Sequence, residues 1–175
     1  MLPERKHPRL KKYDYRSPGY YFVTINTKDN LPVLAKQGYS PEYESYEEFL
    51  SVIGKKAKQQ IFELESRYPN IKIEKYVIMP THIHLIIAIG VMDVADNSAG
   101  ASPRPTPVMP SLFDVVGTYK SLITRICNKI QNMPGRKIFQ TSYYEEIIRT
   151  DAAYKAICKY IDNNPYNWSE SHYYK

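Results

Sequence analysis

"IKIEKYVIMPTHIHLIIAI" (residues 71–89) decides the fold of this chain. The proline and threonine at 80 and 81 split it into two runs, "IKIEKYVIM" and "HIHLIIAI", each of strand length and rich in β-branched residues. These are two strands joined at or near Pro80-Thr81. The second run is almost wholly apolar, yet it opens on His82 and His84, half of the four histidines in the chain. Residues two apart on a strand point the same way, so both imidazoles share one face while Ile83 and Leu85 take the other.

Outward from this hairpin, "GYYFVTINT" (19–27) reads as a further strand. Residues 40–70, "SPEYESYEEFLSVIGKKAKQQIFELESRYPN", carry Tyr46, Phe49, Leu50, Ile53, Ala57, Ile61 and Leu64 at helical spacing. Ser40 is the expected cap of that helix, Pro41 its first residue, Gly54 a weak point and Pro69 its stop. Residues 91–110 are rich in small residues and proline without periodicity, and read as a mobile loop. Ser111 with Asp114 resembles a capping box opening a second helix, whose stripe is Leu112, Val115, Val116, Tyr119, Leu122, Ile123, Ile126 and Ile130; "NMPG" ends it. A short strand near "RKIFQ" (136–140) and the segment "YYEEIIRTD" (143–151) follow, then a last helix from Asp151 to Asn164, before Pro165. The order strand, helix, strand, strand, helix, strand, helix makes a single α+β domain over 1–175. Its expected form is a ferredoxin-like sandwich, with helices packed on a central antiparallel sheet.

Composition narrows the function. Hydrophobic content of 43% and charged content of 24% are those of a soluble globular protein. No run approaches the length of a membrane span, the N-terminus lacks a signal peptide's apolar core, and Cys127 and Cys158 have no ligand-like spacing. A cytoplasmic protein with reduced thiols and no membrane partner is the expectation. Net charge is +6, with Arg5, Lys6, Arg9, Lys11 and Lys12 crowded into a basic arm over 1–18, and tyrosine reaches 17 of 175 residues. Cations that meet phosphates and rings that stack on bases suit nucleic acid, and Tyr13 and Tyr15 could join the arm in gripping it. A solvated basic surface and a disordered tail fit the same composition.

On the residues alone, the histidine pair has two readings: imidazoles that share a divalent cation with a third ligand from elsewhere, or a hydrogen-bonded or interface pair. The last helix offers the third ligand. Its apolar stripe is Tyr154, Ile157, Cys158 and Ile161, and Tyr160 and Asn164 form an i, i+4 line on the flank of that stripe. A half-exposed surface ring and an ordinary helix-end asparagine are the alternative. Tyr119 lies inside the stripe of its own helix and reads as core, while Lys120 and Arg125 beside it are candidates for phosphate contact.

The combination of "HIH" with a later Tyr-x-x-x-Asn in "YIDNN" resembles the HUH single-strand DNA endonucleases that carry one catalytic tyrosine. The frame "YVIMPTHIHLII … FQTSYYEEIIRTDAAYKAICKYIDNNPYNW" is more similar still to the REP-associated tyrosine transposases, relatives of insertion-sequence transposases, from about Tyr20 to Trp168. The resemblance implies that His82, His84 and Asn164 hold Mg²⁺ or Mn²⁺ and that Tyr160 is the nucleophile. It implies DNA transposition and recombination through a 5′-phosphotyrosine intermediate on single-stranded or hairpin DNA, acting at the nucleoid. Where relatives commonly carry Trp-Gln and Glu-His, this chain has Phe139-Gln140 and Glu145-Glu146. Loop 91–110 falls outside the resemblance. Two other readings of the same residues are an inactive module that binds hairpin DNA or RNA, and a metal-dependent phosphodiesterase that gives Tyr160 no role. A monomer is expected in preference to a homodimer.

Overall fold

In the computed structural model the residues described are 10, 13–36, 45–91 and 109–167. The basic residues Arg5, Lys6, Arg9, Lys11 and Lys12, the expected helix start at Ser40-Pro41 and most of loop 91–110 lie outside them. Four strands, β1 (Gly19–Asn26), β2 (Ile71–Ile78), β3 (His82–Ile89) and β4 (Tyr144–Ile148), form one antiparallel sheet in the order β2-β3-β1-β4. This is the strand order of a ferredoxin-like sandwich, as the element sequence predicts. The helices are α1 (Tyr46–Phe49), α2 (Val52–Arg67), α3 (Leu112–Gln131) and α4 (Asp151–Asn167).

β2 and β3 join through a tight turn at Met79, Pro80 and Thr81, closed by the Met79 amide donating to the His82 carbonyl at 2.8 Å. β3 lies between β2 and β1, and every one of its residues after His82 is buried, as a strand covered on both faces must be. One face, with Ile83, Leu85 and Ile87, meets α2 and α3. There Phe62 packs edge-on against Tyr76, the partner of Leu85, and Tyr15 packs on Phe113 at 4.7 Å. The other face, with His84 and Phe22, meets α4.

The first helix departs from its expected form: it breaks at Leu50-Ser51. Leu50 makes a β-bridge to Ala35, and Ser51 restarts the helix by accepting from the Gly54 amide at 3.0 Å. The Ser51 hydroxyl also reaches the carbonyls of Val33 and Leu34. Gly54 is therefore no weak point. A Cβ there would stand 1.9 Å from the Leu34 carbonyl oxygen, so glycine is what lets the two backbones touch. The Ser111–Asp114 capping box opens α3 as expected, and Asn132 in the left-handed region (φ 51°) closes it.

The last strand is also displaced from its expected place. "RKIFQ" contributes only one bridge, Phe139 to Thr27, because it runs past the end of β1; the ladder with β1 is made by Tyr144–Ile148. α4 continues through Pro165 to Asn167. The proline falls in the final turn, where its ring is buried and it has no amide to offer the Ile161 carbonyl. Tyr15 is only 6% exposed and belongs to the core, which removes its ring from any contact with bases. Tyr13 is tied to Tyr21 hydroxyl to hydroxyl at 3.0 Å, so the expected arm already packs on the body at residue 13. No helix among the described residues is long and apolar enough to cross a membrane.

Candidate active site

Strand alternation brings His82 and His84 to the α4 face with ring centroids 4.6 Å apart. The β1–β3 register sets Thr24 opposite His84, and the Thr24 hydroxyl lies 2.8 Å from His84 Nδ1. Phe22, two residues before Thr24 on the same face, stacks on the His84 ring at 5.3 Å. Nδ1 is thereby occupied and Nε2 is turned toward α4, where the Tyr160 hydroxyl stands 3.3 Å away. The Thr81 hydroxyl, from the hairpin loop, lies 3.2 Å from His82 Nδ1, and the Asn164 amide also hydrogen-bonds the His82 ring.

α4 delivers Tyr160 and Asn164 together because they are one turn apart. Ile161, 1% exposed, anchors the helix between them, and Asn164 is buried, while Tyr160 keeps half its surface open to solvent. Three further contacts hold the helix to the sheet. Tyr154 meets Tyr20 edge-on at 5.4 Å, its hydroxyl donates to Glu74, and Lys75 pairs with Asp162 at 2.7 Å. The tyrosine is thus placed by the helix but remains reachable from solvent.

Burial sets the charge of the pair. It lowers His82 to about 4, against a smaller opposing effect of the Asn164 hydrogen bond, and lowers His84 to about 3, with repulsion from His82 adding to it. Both rings are neutral at pH 7, and a neutral imidazole is the form that ligates a metal. Two neutral imidazoles at this separation, with the Asn164 side chain beside one of them, make a donor set that suits a divalent cation of the first transition row better than Mg²⁺. No cluster of three or more His, Cys, Asp or Glu able to hold a metal occurs among the described residues, so the third protein donor would be the Asn164 amide.

The other expected contacts lie elsewhere. Lys120 Nζ donates to the carbonyls of Gln140 at 2.7 Å and Thr141 at 3.0 Å, which ties α3 to the segment that follows Phe139. Arg125 lines a separate cavity against α3. Tyr119, the competing phenol, is wholly buried in the α2–α3 layer and donates to the Ala57 carbonyl at 3.1 Å, and burial pushes its phenol well above the ordinary range. Glu146 sits opposite Phe22 on β4 and accepts from the Tyr144 hydroxyl at 3.0 Å. The residues that sequence reasoning missed are Thr24 and Phe22. Alternation within "YFVTIN" puts them on one face of β1, but their meeting with His84 depends on a pairing register that no local pattern states.

The sheet order and the helices on it define a ferredoxin-like α+β fold. The structure of a REP-associated tyrosine transposase bound to a REP hairpin shares it, with a TM-score of 0.57 and 18% identity, over 92% of this chain and 74% of that one. An uncharacterised protein of Haemophilus influenzae is 28% identical over 181 residues, which cover 99% of this chain and 94% of that protein. No family model matches the chain.

Proposed function

We propose that the protein is a metal-dependent tyrosine transposase that cleaves and rejoins single-stranded or hairpin DNA. One observation carries the reading: the Tyr160 hydroxyl lies 3.3 Å from His84 Nε2, a meeting across 76 positions of sequence. The Asn164 contact to His82 completes the set that the "HIH" and "YIDNN" motifs imply. The hairpin bound by the structural neighbour supports a hairpin as the substrate here.

The chemistry follows from the side chains. A phenol is protonated at neutral pH and becomes nucleophilic as its proton leaves. The Tyr160 oxygen then attacks phosphorus in line with the scissile bond. The P–O3′ bond breaks, the 3′ oxygen takes up a proton, and a 5′-phosphotyrosine remains. Attack by a 3′-hydroxyl on that adduct reverses the step, and because the phosphodiester is conserved no ATP is required. His82, His84 and Asn164 would hold the cation, Mg²⁺ or Mn²⁺, which when bound supplies Lewis acidity to a non-bridging phosphate oxygen. Thr24 and Phe22 fix the His84 ring so that Nε2 faces the reacting phenol. Such chemistry belongs with the chromosome, in the cytoplasm at the nucleoid.

The test uses a hairpin oligonucleotide with a single-stranded flank, labelled at its 3′ end so that the covalent product carries the label. After incubation with Mn²⁺, a denaturing gel of wild type shows an adduct that Tyr160→Phe lacks and Tyr119→Phe retains. Cleavage without an adduct would point to the phosphodiesterase, and hairpin binding without cleavage to the inactive module. Loss of the adduct in Tyr119→Phe alone would displace Tyr160 as the nucleophile.

A further inference from the structure

We infer that a cavity of about 870 Å³ beside α3, away from Tyr160, is a phosphate-binding site formed around Gly117. Three arginines line it from separate parts of the chain: Arg16 before β1, Arg67 at the end of α2 and Arg125 on α3. Guanidinium groups that line one cavity from separate parts of the chain are a recurrent means of binding a phosphate, since each offers a planar fork of donors. None of the three side chains makes a hydrogen bond or ion pair to another described residue. Hydroxyls stand among them, Ser121 on α3 and the Tyr68–Thr118 pair at 2.8 Å. Asp114 is the sole carboxylate of the lining; it is engaged by the amide and hydroxyl of Ser111 in the helix cap, and the charge of Arg16 also acts on it. The cavity therefore carries excess positive charge.

Gly117 is the independent sign of a ligand. Glycine inside a helix loses more conformational freedom on folding than alanine would, and at this position neither geometry nor packing asks for it. Its φ is that of an ordinary residue, and an added Cβ would meet nothing within 4 Å. The missing side chain leaves bare helix backbone on the cavity wall, with Ser121 and Arg125 following at i+4 and i+8 along the same ridge. A ligand that comes into contact with the helix at Gly117 reaches the arginine two turns further on. The class of ligand is a phosphate group, whether from a small polyphosphate or from a nucleic-acid backbone. The inference is independent of cleavage by Tyr160, which lies on the opposite face of the sheet.

The experiment measures binding of two probes to the full chain, inorganic pyrophosphate by calorimetry and a blunt twelve-base-pair duplex by anisotropy, beside the melting temperature of each variant. Gly117→Ala is expected to raise Tm by about 3 °C and yet to weaken binding roughly tenfold. The double variant Arg67→Ala/Arg125→Ala weakens it about a hundredfold and lowers the salt dependence of duplex binding. Tyr160→Phe binds as wild type does. Pyrophosphate binding that is lost in these variants assigns the cavity to a compact phosphate; duplex binding lost without pyrophosphate binding assigns it to a backbone. Binding of both probes unchanged by Gly117→Ala and by the arginine pair, or no binding of either probe to wild type, overturns the inference.

Discussion

Acidification should destabilise this protein through its two buried histidines, His82 and His84, and the size of the effect follows from their burial. Both folded-state values, about 4 for His82 and about 3 for His84, lie below the 6.5 of an exposed ring. Between these limits the unfolded chain takes up protons that the folded chain refuses. The stability concerned is fully present above pH 6.5 and drains away as pH falls toward 4 and then 3. From pH 7 to pH 5 each ring accounts for roughly 2 kcal/mol on these values. His82 is not fully buried, so a total of about 3 kcal/mol is the better expectation. With an m-value of about 2 kcal/mol/M for a chain of this size, the urea midpoint should move down by about 1.5 M. The assay is urea unfolding at the two pH values with a chelator present, for wild type and for His82→Gln/His84→Gln. The double variant should lose most of that shift. If its midpoint falls as far as that of wild type, the rings are not held neutral by burial and the electrostatic account of the site fails.

Thr24→Val keeps the shape of the side chain but removes the partner of His84 Nδ1. Mn²⁺ affinity should fall about tenfold or more, with adduct formation restored at high Mn²⁺; unchanged affinity in a metal titration would show that Thr24 does not orient the ring. Gly54→Ala drives a Cβ into the Leu34 carbonyl and should cost about 3 kcal/mol in a denaturant titration. Tyr119→Phe leaves the Ala57 carbonyl without its buried donor, and should lower stability by about 1 kcal/mol while leaving adduct formation intact.

Much of this architecture is legible in local pattern. The Pro80-Thr81 break between two β-branched runs gives the hairpin, and Ser111 with Asp114 gives the start of α3, because a turn and a cap are satisfied within a few residues. The burial of Tyr119 follows in the same way from its place in the α3 stripe. Misreadings arose where a distant segment intervened. Tyr46 to Arg67 has the spacing of one continuous helix, but the bridge from Leu50 to Ala35 and the hold of Ser51 on the Leu34 carbonyl divide it. "RKIFQ" and "YYEEIIRTD" are comparable strand candidates, and only the reach of β1 selects the second.

The candidate site divides along the same line. Sequence by itself determined that His82 and His84 share a face and that Tyr160 and Asn164 share one, since the periods of strand and helix are properties of the backbone. Tertiary structure decided that the two faces oppose each other, with Tyr160 at His84 and Asn164 at His82. It also chose Thr24 and Phe22 as the support for His84, through a sheet register that pairs residues 60 positions apart. Packing of α4 across the sheet, which withdraws both imidazoles from water and leaves the phenol half open, is a long-range outcome that no stretch of the chain carries alone.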